Sequence, residues 1–235
     1  MIPARIGSTR LPMKNLALID GEPMIAYAIK AAKDSGVFDR VVVNADAPVF
    51  AKIAQRYGVE FYHRPAQLGS STTKSDDVVR DFMRNHPSDI LAWVNPTSPL
   101  QTASEVRQVV GHFENEALDT LITVRDEQVH ANFQGRPLNY TTTGLFAQTQ
   151  DLVPVELFVY SVMMWRTTPF LTAYEQQGHA FFVGKVGFFP VEKLSAIIIK
   201  REEDLKLAEF VIKTLRADRN EPLRYDPLAD EARHG

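Results

Sequence analysis

Apolar and polar positions along the chain switch repeatedly between a helical and an extended period. Residues 22–36 place Met24, Ile25, Ala28, Ile29 and Ala32 at helical spacing, with Pro23 at the start and Gly36 at the end, and predict a helix. Residues 41–43 are a short β-branched run bounded by polar residues, as in a buried strand. Residues 48–57 predict a second helix closed by Gly58, and residues 59–62 a short strand. Residues 75–85 predict a third helix, capped by Ser75 or an adjacent polar residue. A strand over 90–94 ends at Asn95-Pro96, a helix over 103–115 follows with Thr102 as its cap, and 120–124 is another strand.

Residues 126–185 break this alternation. The stretch 132–143 is polar and turn-rich, whereas 153–165 is apolar and rich in Met and aromatic residues. Such residues usually pack, so 153–165 reads as core or subunit interface, with a ligand pocket as the alternative. Residues 180–189 predict a late strand interrupted by Gly184 and Gly187, and 202–216 an amphipathic helix. Residues 218–235 are charged, hold two prolines and predict a loosely held tail. The expected fold is α/β: a three-layer, Rossmann-like, mostly parallel sheet with helices on both faces. The expected organisation is a core over 1–125, an inserted lobe over 126–185, and a return to the core with a final helix over 186–217. Ligands of such folds bind outside the carboxyl ends of the strands. The segments near Arg5, Asp46 and Asn95 each follow a predicted strand and should converge there.

Composition changes this picture little. Apolar residues make up 45% and charged residues 23% of the 235 residues, which is ordinary for a folded soluble enzyme. A formal net charge of −3 without a long basic run argues against bulk nucleic-acid binding. The absence of cysteine excludes disulfides, thiolate catalysis and Cys-ligated zinc. No uncharged run approaches the length of a transmembrane helix and no signal peptide precedes the first motif, so no membrane association and a cytoplasmic location are expected. Only Met1 and Ile2 precede Pro3, so the first strand is either very short or begins upstream of Met1.

The chemistry concentrates in the first loop. Residues 2–15 run from a short apolar start into small residues carrying Arg5, Ser8, Arg10, Lys14 and Asn15. Free backbone N–H groups surrounded by cations suit a polyphosphate. The spacing is neither that of a P-loop nor of a dinucleotide fingerprint, and an ordinary basic surface loop is the alternative.

Arg5, Ser8, Leu11-Pro12 and Lys14-Asn15 resemble the first motif of the cytidylyltransferases that activate acidic sugars, closest to the acylneuraminate type (CMP-sialic acid synthetase). Arg10 followed by Leu11-Pro12 is similar instead to the 3-deoxy-manno-octulosonate branch. Three further segments fit in order: residues 38–68, Asn95-Pro-Thr-Ser-Pro-Leu-Gln101, and 195–209. The resemblance implies attack of a sugar hydroxyl on the α-phosphorus of CTP, with pyrophosphate leaving and Mg2+ as cofactor. It implies that Arg5, Arg10 and Lys14 carry the triphosphate as the catalytic cations. Asn15, Arg64, Ser75, Asn95, Pro96 and Thr97, with Ser8, would surround the nucleotide. CTP and an acidic 2-keto sugar are the implied partners, and a homodimer formed through 126–185 is implied as well. On the residues alone, Ser75 is equally a helix cap, Asn95-Pro96 a turn and Arg64 a surface ion pair.

The departures fall where the chemistry should be. The acylneuraminate type carries Asp-Ile-Asp before its last helix, and those carboxylates hold magnesium. Here Ile198 and Lys200 stand in the two Asp positions. An aliphatic side chain cannot ligate a hard cation and an ammonium repels it. An expected Asn-Gly pair appears as Tyr160-Ser161, and Gln101 stands where arginine is usual. Three readings stay open: an active cytidylyltransferase with Lys200 supplying a metal's charge, a same-fold enzyme for another base or acceptor, and a silent nucleotide-binding subunit.

Overall fold

The computed structural model describes residues 1–217; the predicted tail, 218–235, lies outside the described residues. In chain order the elements are β1 (Ile2–Ala4), β2 (Leu18–Ile19), β3 (Glu22–Pro23), α1 (Met24–Ser35), β4 (Val42–Ala45), α2 (Val49–Tyr57), β5 (Glu60–His63), α3 (Ser75–Asn85), β6 (Ile90–Val94), α4 (Ala103–Asn115) and β7 (Thr120–Glu127). They continue with β8 (Asn132–Phe133), β9 (Arg136–Pro137), β10 (Val155–Arg166), α5 (Thr167–Gln177), β11 (Val186–Pro190) and α6 (Glu202–Arg216).

Strands β1, β4 and β5 pair in parallel, and β11, β7, β10 and β6 form a second run. Met1 joins the two: its amino group donates to the Ala92 carbonyl at 2.8 Å, and the Val94 N–H donates to the Met1 carbonyl at 3.0 Å. The sheet is thus continuous in the order β11-β7-β10-β6-β1-β4-β5, and only β10 runs against its main-sheet neighbours. Alternating side chains feed two cores. Val43, Ala45, Ala92 and Leu121 pack under α1, α2 and α4, whereas Val42, Leu91, Ile122 and Met163 pack under α3 and α5. Burying each large apolar side chain contributes about 1.5–3 kcal/mol, so a sheet covered on both faces is the stable arrangement for strands that are apolar on both sides.

Residues 126–185 divide. Met163–Trp165 sit between β6 and β7 in the middle of the sheet, so this half of the apolar run is core. Val155–Phe158 instead pair with Val124–Glu127. Residues 128–153 leave the sheet as an excursion containing the β8–β9 hairpin. A β-bulge between Phe158 and Met163 separates the two halves, and Tyr160 within it adopts a left-handed φ of 59°.

Among the local elements that the sequence reading passed over are a hairpin and a helix. The β2–β3 hairpin turns on Asp20 and Gly21, both at positive φ, 47° and 80°. An Asp-Gly pair is the sequence signal for that turn. Helix α5 carries Pro169 in its first turn, where a missing N–H is tolerated, and ends at left-handed Gly178. The proline reads as a breaker, which hid the helix. The cap of α3 also differs from expectation: Lys74 occupies the cap position without a side-chain bond, and Ser75 is the first helical residue. Thr102 does cap α4, accepting the Glu105 N–H at 3.2 Å.

Candidate active site

A cleft of about 270 Å³ opens at the carboxyl ends of β1 and β6. The ten residues nominated from the sequence all line it. From the first loop come Arg5, Ser8, Arg10, Lys14 and Asn15. Arg64 follows β5, Ser75 opens α3, and Asn95, Pro96 and Thr97 follow β6.

The loop after β1 is held from several sides. The Ile6 N–H donates to Asp46 Oδ1 at 2.9 Å, and Asn15 Nδ2 donates to the Arg5 carbonyl at 3.3 Å. Gly69 lies so close to Asp46 that a Cβ there would fall 2.4 Å from its Oδ2. Arg64, buried to 4% exposure, donates through Nη2 to the Ala4 carbonyl at 2.9 Å. It is therefore no surface ion pair. Burial and the nearby Arg5 push its guanidinium down from its ordinary value, opposed by Asp46 and Asp81.

Lys14 sits at the crossing of the first and last motifs. Its Nζ donates to the Ile199 carbonyl at 3.0 Å. The Ile199 N–H in turn donates to the Thr97 carbonyl at 2.8 Å, so three distant segments meet here. Burial lowers the Lys14 pKa, and the charges of Arg10, Arg5 and Lys200 lower it further; only Asp204 works in the opposite direction. Among the described residues, Arg5, Arg10, Lys14 and Lys200 make no salt bridge, while eight other Lys and Arg side chains do.

Asn95 works as the architect of its turn. Its Oδ1 accepts from the Thr97 N–H at 3.1 Å and from the Thr97 hydroxyl at 2.9 Å, while its Nδ2 donates to the Tyr160 carbonyl at 3.2 Å. Both ends of the amide are thus engaged, and the side chain fixes the wall of the cleft against the β10 bulge. The polar atoms left over belong to neighbours: Arg64 Nε, Asn15 Oδ1 and Trp93 Nε1 are buried without a partner. Each such atom costs about 1–3 kcal/mol until a ligand group meets it. Trp93 was missed by the sequence reading, because a tryptophan in a predicted strand reads as core. Ser70, Ser71 and Thr73 also line the cleft and were missed; the hydroxyl-rich run 70–73 ahead of α3 was the available signal.

The residues at the implied magnesium positions do not fit that ion. Ile198 packs against Val159, Val191 and Ala196, and Lys200 is exposed. Among the described residues no three His, Asp or Glu side chains come together as a metal site. Asp204 accepts the Lys200 and Arg201 N–H groups, both at 2.8 Å, and so caps α6.

Residues 1–209 match the family model described as Cytidylyltransferase, and the chain belongs to that family. It is 31% identical over 125 residues to N-acylneuraminate cytidylyltransferase A of Danio rerio, an alignment covering 53% of this chain and only 29% of that relative. It is 28% identical over 224 residues to the Post-translational flagellin modification protein B of Campylobacter coli, covering 90% and 93% of the two chains. The fold is that of a CMP:2-keto-3-deoxy-manno-octonic acid synthetase solved with CTP, with a TM-score of 0.71 at 17% identity, covering 91% of this chain and 97% of that one. No described helix is long and apolar enough to cross a membrane.

Proposed function

We propose that this member of the cytidylyltransferase family joins CMP from CTP to an acidic 2-keto sugar and releases pyrophosphate. One observation carries the reading: ten residues nominated from well-separated segments line a single cleft whose mouth is cationic. The triphosphate lies along the 5–14 loop, where Arg5, Arg10 and Lys14 neutralise it. Arg64, Trp93 and Asn15 offer unpartnered polar atoms to the base and ribose. The acceptor hydroxyl oxygen forms a bond to the α-phosphorus, its proton passes to solvent, and the bond from that phosphorus to the bridging oxygen breaks. Pyrophosphate leaves with the electron pair, and fixed cations stabilise its growing charge.

In this reading residues 1–125 carry the nucleotide, 126–185 supply acceptor and partner contacts, and 186–217 return to the core. A homodimer through 126–185 is supported by the exposed apolar residues of the excursion, Leu145 at 95%, Phe146 at 74% and Val153 at 73%. Sedimentation showing only monomer at micromolar concentration would remove the dimer. CTP as donor suits a cytoplasmic site of action. The reaction is tested by pyrophosphate release across the four ribonucleoside triphosphates with a panel of acidic sugars. Release with CTP and a 2-keto sugar acid is expected; release with another triphosphate alone, or with none, overturns the reading.

A further inference from the structure

The described carboxylates and the unpaired cations of the cleft are distributed in an unexpected way. Where a protein-held divalent ion is implied, the chain places Ile198 and Lys200. Between those two positions lies the Ile199 carbonyl, and that oxygen is taken by the Lys14 ammonium at 3.0 Å. The bond fixes where the ammonium sits, since Ile199 is itself buried and tied to Thr97 through its N–H. Lys200 is the next residue along, and its backbone is anchored on Asp204 at the start of α6. Arg5 and Arg10 line the same cleft.

We propose that the Lys14 ammonium, clamped to the Ile199 carbonyl and reinforced by Lys200, takes the place of a protein-held divalent cation, so that nucleotide binding needs no metal ligated by the chain. The inference rests on the assignment of the cleft to CTP. Three features carry it. Position 198 faces an apolar cluster and offers no oxygen. Position 200 carries the charge sign opposite to that of a ligand. The ammonium of Lys14 is bonded to a neutral carbonyl, so its charge is left for an anion, whereas an ion pair would have spent it. Arg5, Arg10 and Lys14 line the cleft and Lys200 lies near enough to Lys14 to act on its charge, so the four together carry as much positive charge as a fully ionised triphosphate tail requires. Without an anion these charges repel one another, and burial strengthens the repulsion. The cleft is thus arranged for a highly charged ligand without its counterion.

The inference is tested by calorimetric titration of CTP into the full chain, once with EDTA and once with Mg2+. The expected result is that the dissociation constants in the two buffers agree within about threefold. Lys200→Asp, at an exposed position that should leave the fold intact, is expected to weaken binding in EDTA by about tenfold and to recover with Mg2+, because removing and then reversing one nearby charge is worth roughly 1.4 kcal/mol in total. Lys200→Arg should bind like the starting protein in both buffers. Binding that disappears in EDTA overturns the inference while leaving the cleft assigned to CTP. Unchanged binding of Lys200→Asp in EDTA overturns it as well. No CTP binding in either buffer removes the assignment of the cleft itself.

Discussion

Replacing Lys14 with methionine should separate stability from binding. The side chain keeps its apolar stem and loses its charge. In the free protein the variant forfeits one hydrogen bond from a charged donor to the Ile199 carbonyl. It also relieves an ammonium that is desolvated and repelled by Arg10, Arg5 and Lys200. The two changes oppose each other; the bond from a charged donor is worth about 1.5–3 kcal/mol and the relief offsets part of it, so the unfolding free energy should move by less than about 2 kcal/mol. Nothing opposes the loss in the nucleotide complex. A phosphate contact from a charged donor contributes about 1.5–3 kcal/mol, which weakens CTP binding roughly 10- to 150-fold. The sign with pH follows from the same balance. Because the folded pKa of Lys14 lies below its ordinary 10.5, the charged form is penalised in the fold below that depressed value. The penalty fades as pH rises through the depressed value toward 10.5, so the free fold gains stability over that window and Lys14→Met does not. CTP favours the ammonium, raises its pKa again, and therefore loses affinity as pH rises through the free-state value. Urea unfolding and CTP titration at stepped alkaline pH measure both effects. An unfolding free energy lower by more than about 2 kcal/mol, or a CTP dissociation constant within threefold of the starting protein, would refute the reasoning.

Gly69→Ala should strike the phosphate loop from a distance. The new Cβ would lie 2.4 Å from Asp46 Oδ2 and 2.8 Å from its Cβ, so Asp46 must move and release the Ile6 N–H. A loss of about 1–3 kcal/mol in unfolding free energy together with weaker CTP binding is expected, and wild-type values of both would count against the contact. Tyr160 stands at a φ of 59° beside the cleft, which costs a tyrosine about 1–2 kcal/mol. Asparagine tolerates that backbone and a β-branched residue does not, so Tyr160→Asn should exceed Tyr160→Val in stability by about 1 kcal/mol or more. Both lose the edge-to-face contact with Phe158, 5.6 Å between centroids, so the comparison isolates the backbone; equal stability of the two would show that the left-handed conformation is not maintained.

The elements with an unambiguous period were legible in the sequence. Helices α3, α4 and α6 begin and end where their apolar spacing predicts, and β6 does likewise. What period alone could not show was which side of the sheet edge a residue serves. The 153–165 run reads as one apolar block, yet the bulge at Tyr160 sends Val155–Phe158 out with the end of β7 and Met163–Trp165 into the core. Bulges are set by tertiary pairing and leave no period behind. In the cleft, charged and small residues of the first loop were legible because their types are chemically specific. Trp93 was not, since its role depends on an unpartnered indole N–H that only packing reveals. Nor was the engagement of both ends of the Asn95 amide, which braces the cleft wall that Asn95 lines.

The departures at 101 and at 198–200 make physical sense when taken together. Gln101 stands where the resemblance implies an arginine, beside a buried carboxylate, Glu105. Losing an arginine there would strand the acid if nothing replaced it. Gln101 Nε2 still donates to Glu105 Oε2, and Glu105 Oε1 accepts the Glu192 N–H at 2.6 Å. Glu105 also lies in the first turn of α4, where the helix dipole favours a negative group. A neutral amide, a backbone donor and a helix start therefore do the work of one cation. The last motif departs in the reverse sense: where the resemblance implies two carboxylates the chain carries an alkyl group and an ammonium, and the Lys14–Ile199 bond fills the point between them. Cationic character is removed where a carboxylate can be satisfied by dipoles and added where an anionic ligand must be held. The first exchange leaves a carboxylate satisfied by local dipoles, and the second leaves an excess of positive charge in the cleft to be balanced by the ligand itself.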